Sequence, residues 1–208
     1  MKELSGTKEL IFDTFVELTS TFGYESVSMR DIADKVGIKV ASIYNHFETK
    51  AKILEFAYDY YTERQYDNRK PVDEMKKMIE TATADEIVNT FLFRFFSDDQ
   101  KRYKRMILIT KIIYMRLFQD QMANAIFAEQ FENNAEYVIA VLNHGIEVGR
   151  LDSGFDIETF ADVLIGAVTI MGIRAFSGAS YRVGELEQAE RILALHARLL
   201  STALKQPT

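Results

Sequence analysis

Between residues 4 and 22 the apolar side chains Ile11, Phe12, Phe15, Leu18 and Phe22 return at every third or fourth position, which puts them on one face of an α-helix. The spacing predicts a helix there, closed by Gly23, a residue that takes a left-handed cap conformation cheaply. Ser28 with Asp31 reads as a capping box opening a short helix over Met29–Val36. Gly37 marks a turn, Lys39–Phe47 a third helix, and Thr49 the cap of a fourth that runs through Ile53, Leu54, Ala57, Tyr58 and Tyr61 to Arg64. The polar, basic stretch Gln65–Val72, with Pro71 in it, is the expected hinge between domains. Thr83 with Glu86 forms a second capping box, opening a helix through Phe96 that Ser97–Asp99 interrupts. Further helices are expected over Lys101–Phe118, Gln121–Val148 (closed by Gly149), Ile157–Phe176 (capped by Asp156, ended by Ser177 and Gly178) and Glu185–Leu204. No stretch alternates as a strand does, so the expected fold is all-α with about nine helices.

Composition narrows the chemistry. The chain has 208 residues, 48% of them hydrophobic and 27% charged, with two prolines, which suits a helical globular protein with a sizeable core. It has no cysteine, which excludes a disulfide scaffold, a thiolate metal site and a cysteine nucleophile. Met1–Gly6 lacks the apolar centre of a signal peptide and no charge-free run reaches spanning length, so a cytoplasmic protein with no membrane partner is expected. The net charge of −6 does not advertise a nucleic-acid partner. Residues 1–50 carry six Lys or Arg against eight Asp or Glu, yet residues 28–52 hold five cations (Arg30, Lys35, Lys39, Lys50, Lys52) against three acids. A local basic face is enough to dock on phosphates, so charge leaves the question to pattern.

The informative stretch is Met29–Phe47. Two helices cross steeply only where the first has a small residue at the crossing and the turn accepts a positive φ; Ala33 and Gly37 meet these conditions, and Ile32, Val36, Ile38 and Ile43 fill the core between. An Ala-x-x-x-Gly alone fits an ordinary helical hairpin as well. The flanks decide: Phe22-Gly23-Tyr24, then Ser28-Met-Arg-Asp-Ile-Ala-Asp-Lys-Val-Gly37, Ser42-Ile-Tyr-Asn-His-Phe47, and Thr49-Lys50 ahead of Ile53-Leu54. Over residues 8–56 the chain closely resembles the TetR (tetracycline-repressor-like) family of transcriptional regulators.

The resemblance implies a helix-turn-helix DNA-binding domain over residues 1–48, and a ligand-binding and dimerisation domain over 49–208, with the helix at 49–64 as linker. It also implies contacts. Lys39, Val40, Ala41 and Ser42 open a recognition helix whose N-terminal end faces base edges: Lys39 suits guanine, Val40 and Ala41 a thymine methyl, Ser42 base or phosphate. Tyr44 and His46, with Asn45 between them, match the backbone-contacting stretch, while Ser28, Thr49 and Lys50 sit where helix N-termini favour phosphate. Each has a plainer alternative: Tyr44 as a packed ring, His46 as a solvated side chain, Ser28 and Thr49 as caps only.

Beyond residue 65 two features inform. Helix 157–176 is apolar nearly all round and the last helix carries an apolar stripe, so both are expected to be covered, in part by a second copy. Phe160, Leu164, Val168, Met171, Ile192, Leu199 and Leu200 are the expected homodimer contacts, and a dimer matches the family's way of reading an inverted repeat. Residues 91–131 concentrate aromatic and methionine side chains; Phe91, Phe95, Tyr103, Met106, Tyr114, Phe118 and Phe127, with Arg174 to orient a polar group, are candidates to line a pocket for a small hydrophobic or aromatic effector. A helical core accounts for most of them equally well.

An enzyme is not expected. The residues three before His46, His144 and His196 are Ile43, Val141 and Leu193, so no Glu-x-x-His pair for a di-iron bundle exists, and no phosphate loop or Gly-x-Ser-x-Gly elbow occurs. No cofactor or metal is expected. The expected function is a ligand-responsive DNA-binding regulator, a repressor released from a palindromic operator by its effector; the alternative is a helix-turn-helix fold used as a protein-interaction module.

Overall fold

The computed structural model describes residues 4–67, 69–92, 99–177 and 185–206. Among the described residues ten helices follow in order: α1 (Gly6–Phe22), α2 (Met29–Val36), α3 (Val40–Tyr44), α4 (Lys50–Arg64), α5 (Val72–Ile79), α6 (Ala84–Leu92), α7 (Gln100–Arg116), α8 (Gln121–Glu147), α9 (Ile157–Ser177) and α10 (Glu185–Ser201). No strand occurs among the described residues; Leu151 and Leu204 form an isolated antiparallel bridge. The fold is all-α, as the periodicity predicts.

The predicted caps explain most boundaries. Ser28 and Asp31 form a reciprocal capping box at α2, Thr83 and Glu86 do the same at α6, and Asp156 accepts the Thr159 amide at α9. Three expectations need correction. Residues 72–79 form α5, which the spacing does not reveal: Pro71 starts it with its carbonyl, Asp73 and Glu74 lie in its first turn, Lys76 and Lys77 in its last, and only Met75 and Ile79 are buried. The third helix is five residues rather than nine, with Lys39 as its N-cap and Asn45–Phe47 in a turn whose last two amides bond to Ile43. Phe22 ends α1 exposed rather than in its buried stripe. The predicted ends at Phe96 and Gly178 lie outside the described residues.

Chain contacts divide the described residues into two units, residues 4–66 with 99–127 and the remainder. The first is built on α1, whose Ile11, Phe12 and Phe15 are fully buried with Ile32, Ala33 and Ile43 from α2 and α3, Ile53 and Tyr58 from α4, and Ile109 from α7. Each buried Phe contributes about 1.5–3 kcal/mol. Phe56 meets Phe12 edge-on at 5.0 Å and Phe47 at 5.6 Å, and Lys8 lies over the Phe56 ring at 4.7 Å. In the second unit, Met75, Ile79, Ile87, Val88, Val141, Leu142, Leu164 and Leu200 form the core. There α8 passes α5 at Gly145, where a Cβ would stand 2.8 Å from Ile79 Cδ1. Arg150 donates to the Glu80 and Ala82 carbonyls at 2.9 Å, satisfying groups left open after α5.

Within the first unit a charged cluster fastens α7 to α1. Arg105 is 8% exposed; its Nε and one terminal nitrogen bond Asp13 (2.7 and 3.0 Å), the same nitrogen bonds Glu9 (2.9 Å), and the other bonds the Tyr60 hydroxyl at 3.1 Å. Burial opposes the charge, but the bonds to Asp13, Tyr60 and Glu9 outweigh it and push the guanidinium pKa up. Hydrogen bonds from Lys101 first and Arg105 second hold the Glu9 carboxyl below its ordinary range. A depressed carboxylate contributes stability present above its unfolded-state pKa of about 4.3 and lost as pH falls through the folded value. Arg105→Met is expected to cost about 2 kcal/mol in urea unfolding and to shrink the acid-linked loss that the parent protein shows below about pH 4. A variant with the parent's urea midpoint at neutral and acid pH would contradict this.

Candidate nucleic-acid interface

The path from α2 to α3 turns on Gly37. Its φ of 78° and ψ of 32° are left-handed, its amide bonds the Ala33 carbonyl at 2.9 Å, and the Ile38 amide reaches the same carbonyl at 3.0 Å. No atom lies within 4 Å of where a Cβ would sit, so the positive φ, not crowding, selects glycine. Ala33 and Ile43 are fully buried beside it. The α2–turn–α3 hairpin thereby holds α3 against the core by Ile43 and, in part, Val40, and leaves its other faces to solvent.

The predicted contact residues are placed as follows. Lys39, Ala41, Tyr44, Asn45 and His46 are exposed, and Val40 and Ser42 are half-buried. Tyr44 is 52% exposed, so the packed-ring alternative does not describe it. Ser28 is exposed but occupied: its hydroxyl donates to Asp31 Oδ2 at 2.6 Å and accepts the Asp31 amide at 3.2 Å, and its own amide donates to the same carboxylate. Those bonds from the Ser28 hydroxyl and amide hold the Asp31 carboxyl below its usual range, a negative charge beside the point offered to phosphate. Thr49 accepts the Lys52 amide at 3.1 Å and keeps its hydroxyl proton without a partner among the described residues.

Lys50 is engaged inward. Its Nζ donates to the Tyr24 and Val27 carbonyls, both at 2.8 Å, and lies 4.0 Å from the Tyr24 ring centroid. It therefore clamps the α1–α2 connection to the first turn of α4. Of the five cations in residues 28–52, Lys35 pairs with Glu17 at 3.2 Å, Lys52 pairs with Glu55, and Lys50 is clamped. The Arg30 and Lys39 side chains remain exposed with no hydrogen bond or ion pair among the described residues. Arg30, at the second position of α2, is the residue that sequence reasoning misses: it enters the charge balance without a role, although it stands two places from the Ser28 cap.

The remaining predicted sets divide. Tyr103, Met106, Tyr114 and Phe127 are half-buried in the first unit, with Tyr114 and Phe127 edge-on at 5.7 Å. Phe118 is 92% exposed, in the turn after α7, and lines no enclosed space. Phe91 is buried in the core of the second unit, Arg174 is exposed on α9, and Phe95 lies outside the described residues. Of the expected dimer contacts, Phe160, Leu164 and Leu200 are buried in the chain's own core and have no surface to offer a partner. Val168, Met171 and Ile192 are half-buried and Leu199 is exposed. Among the residues of these helices whose exposure is described, the large apolar side chains facing outward are Val163, Ile170 and Ile173 on α9 and Leu195 and Leu199 on α10.

Comparison with known proteins places this geometry. Residues 11–56 match the family described as bacterial regulatory proteins, tetR family. The chain is 33% identical over 99 residues to the Biofilm operon icaADBC HTH-type negative transcriptional regulator IcaR of Staphylococcus aureus (strain Newman), a match covering 48% of this chain and 50% of IcaR. The chain thus spans about half the length of the curated relatives it matches. Among solved structures, the TetR family transcriptional regulator PfmR from Thermus thermophilus superposes with a TM-score of 0.60 at 18% identity, over 98% of this chain and all of PfmR (100%). A transcriptional regulator from Saccharomonospora viridis in complex with choline superposes with a TM-score of 0.63 at 16% identity, over 90% of this chain and 94% of that one.

The clamp separates two lysines by measurement. Lys50→Met is expected to lower stability in urea by about 2 kcal/mol without any nucleic acid, through two lost charge-assisted hydrogen bonds. Lys39→Ala is expected to stay within about 0.5 kcal/mol of the parent. Equal midpoints for both variants would remove the clamp.

Proposed function

We propose that this chain, whose residues 11–56 match the family described as bacterial regulatory proteins, tetR family, is a repressor of that family that binds an inverted-repeat operator as a homodimer and is released by a small, largely hydrophobic effector. The observation that carries the reading is the left-handed turn at Gly37, which leaves Lys39, Ala41, Tyr44, Asn45 and His46 exposed on and beside one short helix. Such a helix presents side chains to base edges in a major groove, and Arg30 and Thr49 flank it as phosphate donors. Residues 1–48 are the reading head in this proposal, 49–208 the effector-binding and dimerising part, with α4 as linker. IcaR, by its name a negative regulator, supports repression.

One recognition helix of five residues spans few base pairs, so a two-fold dimer reading two half-sites is needed for specificity. The outward apolar residues of α9 and α10 supply its surface: Val163, Ile170, Ile173, Leu195 and Leu199 are too many exposed apolar side chains for helices facing water alone. The effector is proposed among the half-buried Tyr103, Met106, Tyr114 and Phe127, whose rings and thioether suit an apolar or aromatic molecule. The S. viridis neighbour's complex with choline supports a small-molecule site in this fold. Release then follows if the effector binds the DNA-competent and incompetent arrangements unequally, with a coupling of about 1–3 kcal/mol. An operator-binding protein acts where the DNA is, so the proposed site of action is the cytoplasm. No helix among the described residues is long and apolar enough to cross a membrane.

Selection of genomic fragments by the purified protein tests the reading. An inverted repeat is the expected product, with Lys39→Ala relaxing base preference at one position of each half-site. With Arg30 and Lys39 as the free cations of each head, the plot of log affinity against log salt is expected to have a slope of about −4 for the dimer. Failure to retain any fragment at low salt, before and after unfolding and refolding to strip a bound ligand, would favour a protein-interaction module. Ile170→Glu with Leu195→Glu is expected to give a monomer in sedimentation and to abolish operator retention; a dimeric double variant would move the interface elsewhere.

A further inference from the structure

Tyr24 lies in the connection between α1 and α2, and two cations from distant parts of the chain lie over its ring. Lys50 Nζ stands 4.0 Å from the ring centroid and the Arg116 guanidinium carbon 4.3 Å from it. The Tyr24 carbonyl also accepts Lys50 Nζ at 2.8 Å, and the ring meets Phe15 edge-on at 6.4 Å. Arg116 is the last residue of α7. Its Nε donates to Asp120 Oδ2 at 3.0 Å, and its Nη1 is 3.5 Å from Glu25.

Asp120 collects three elements on one carboxylate. Oδ2 accepts the Tyr58 hydroxyl of α4 at 3.1 Å as well as Arg116, and Oδ1 accepts the Met122 and Ala123 amides, at 3.0 and 3.2 Å, that open α8. Burial alone would raise this carboxyl; the bonds from Arg116, Ala123 and Tyr58 prevail and lower it, so it is a fixed negative charge at neutral pH. Among the described residues Lys50 has no such carboxylate: its partners are two carbonyls and the ring. It also sits at the N-terminal, positive end of α4, where a cation is disfavoured. The negative π-surface of the Tyr24 ring is therefore what Lys50 and Arg116 have in common.

We infer that Tyr24 is a positioning residue for the DNA-reading surface: its ring holds Lys50, and with it the first turn of α4, in a place set by Arg116 and Asp120 at the α7–α8 turn. This rests on the function proposed above and adds a point of control to it. Thr49, the proposed phosphate donor, is the residue immediately before Lys50, so a shift of the α7–α8 turn reaches the interface through one ring. The hydroxyl of Tyr24 plays no part; the aromatic face does.

The test is a double-mutant cycle read by operator affinity, on the inverted repeat recovered by selection. Arg116→Met and Tyr24→Leu are each expected to weaken binding about tenfold, within the range of a desolvated cation–ring contact. The double variant is expected to be no weaker than Tyr24→Leu alone, and Tyr24→Phe is expected to bind within about twofold of the parent. Plain packing predicts otherwise, since Leu fills much of the same space and its loss would then be independent of Arg116; Tyr24→Phe tests only that the hydroxyl plays no part. Parent-like binding by Arg116→Met, or losses that multiply in the double variant, would overturn the inference. Should Tyr24→Leu not fold, Arg116→Met and Arg116→Lys carry the test: loss in the first and recovery in the second are expected, and equal affinities overturn it. If the parent retains no DNA, the functional reading fails by itself; the four urea midpoints then decide, with additive losses overturning the coupling and non-additive ones supporting it.

Discussion

The chain leaves α2 and must bring α3 back across it within three residues, and this constraint shapes the whole reading head. Only a left-handed residue makes that turn while its amide and the next both close on the Ala33 carbonyl. A residue with a Cβ in that conformation costs about 1–2 kcal/mol, with no packing gain to offset it because nothing surrounds the position. Once Gly37 turns, Ala33 admits the crossing, and Ile32 and Ile43 close the small core against α1. Phe47 follows at the exit and packs on Phe56, so the same turn that presents α3 also sets where α4 begins.

Several cations are engaged within the chain itself. Arg105 is buried among two carboxylates and a phenol, and Lys50 and Arg116 share one ring; each arrangement fixes one element relative to another. The consequence for function is that a head with five cations in its central window presents two of them freely. In the proposed reading, operator binding leans on side-chain hydrogen bonds and on shape, through Thr49, Tyr44, Asn45 and His46, as well as on phosphate attraction. An acidic protein can read DNA on those terms.

What is legible in the sequence is local. The α2 boundaries, the capping boxes at Ser28 and Thr83, the Thr49 cap and the Gly37 turn each depend on residues within a few positions of one another. The helix α5 escapes because its two buried residues, Met75 and Ile79, are too few for a periodic signal and its start is a proline. The facing of α9 escapes for the opposite reason. A helix apolar nearly all round does not say which side its own core takes, so the pattern turns Leu164 outward while its neighbour Val163 is the one exposed. Lys50 reads as a phosphate ligand because the carbonyls it binds lie 23 and 26 residues away, beyond any local pattern.

Amide chemical-shift mapping of the labelled protein during titration with duplex DNA tests the central claim most directly. Shifts concentrated at Arg30, Lys39–His46 and Thr49 are predicted, with the α9 and α10 exposed faces unchanged. Shifts spread over the acidic surface of α1, or absent from α3 while other segments respond, would contradict the proposal that the Gly37 turn presents α3 to DNA.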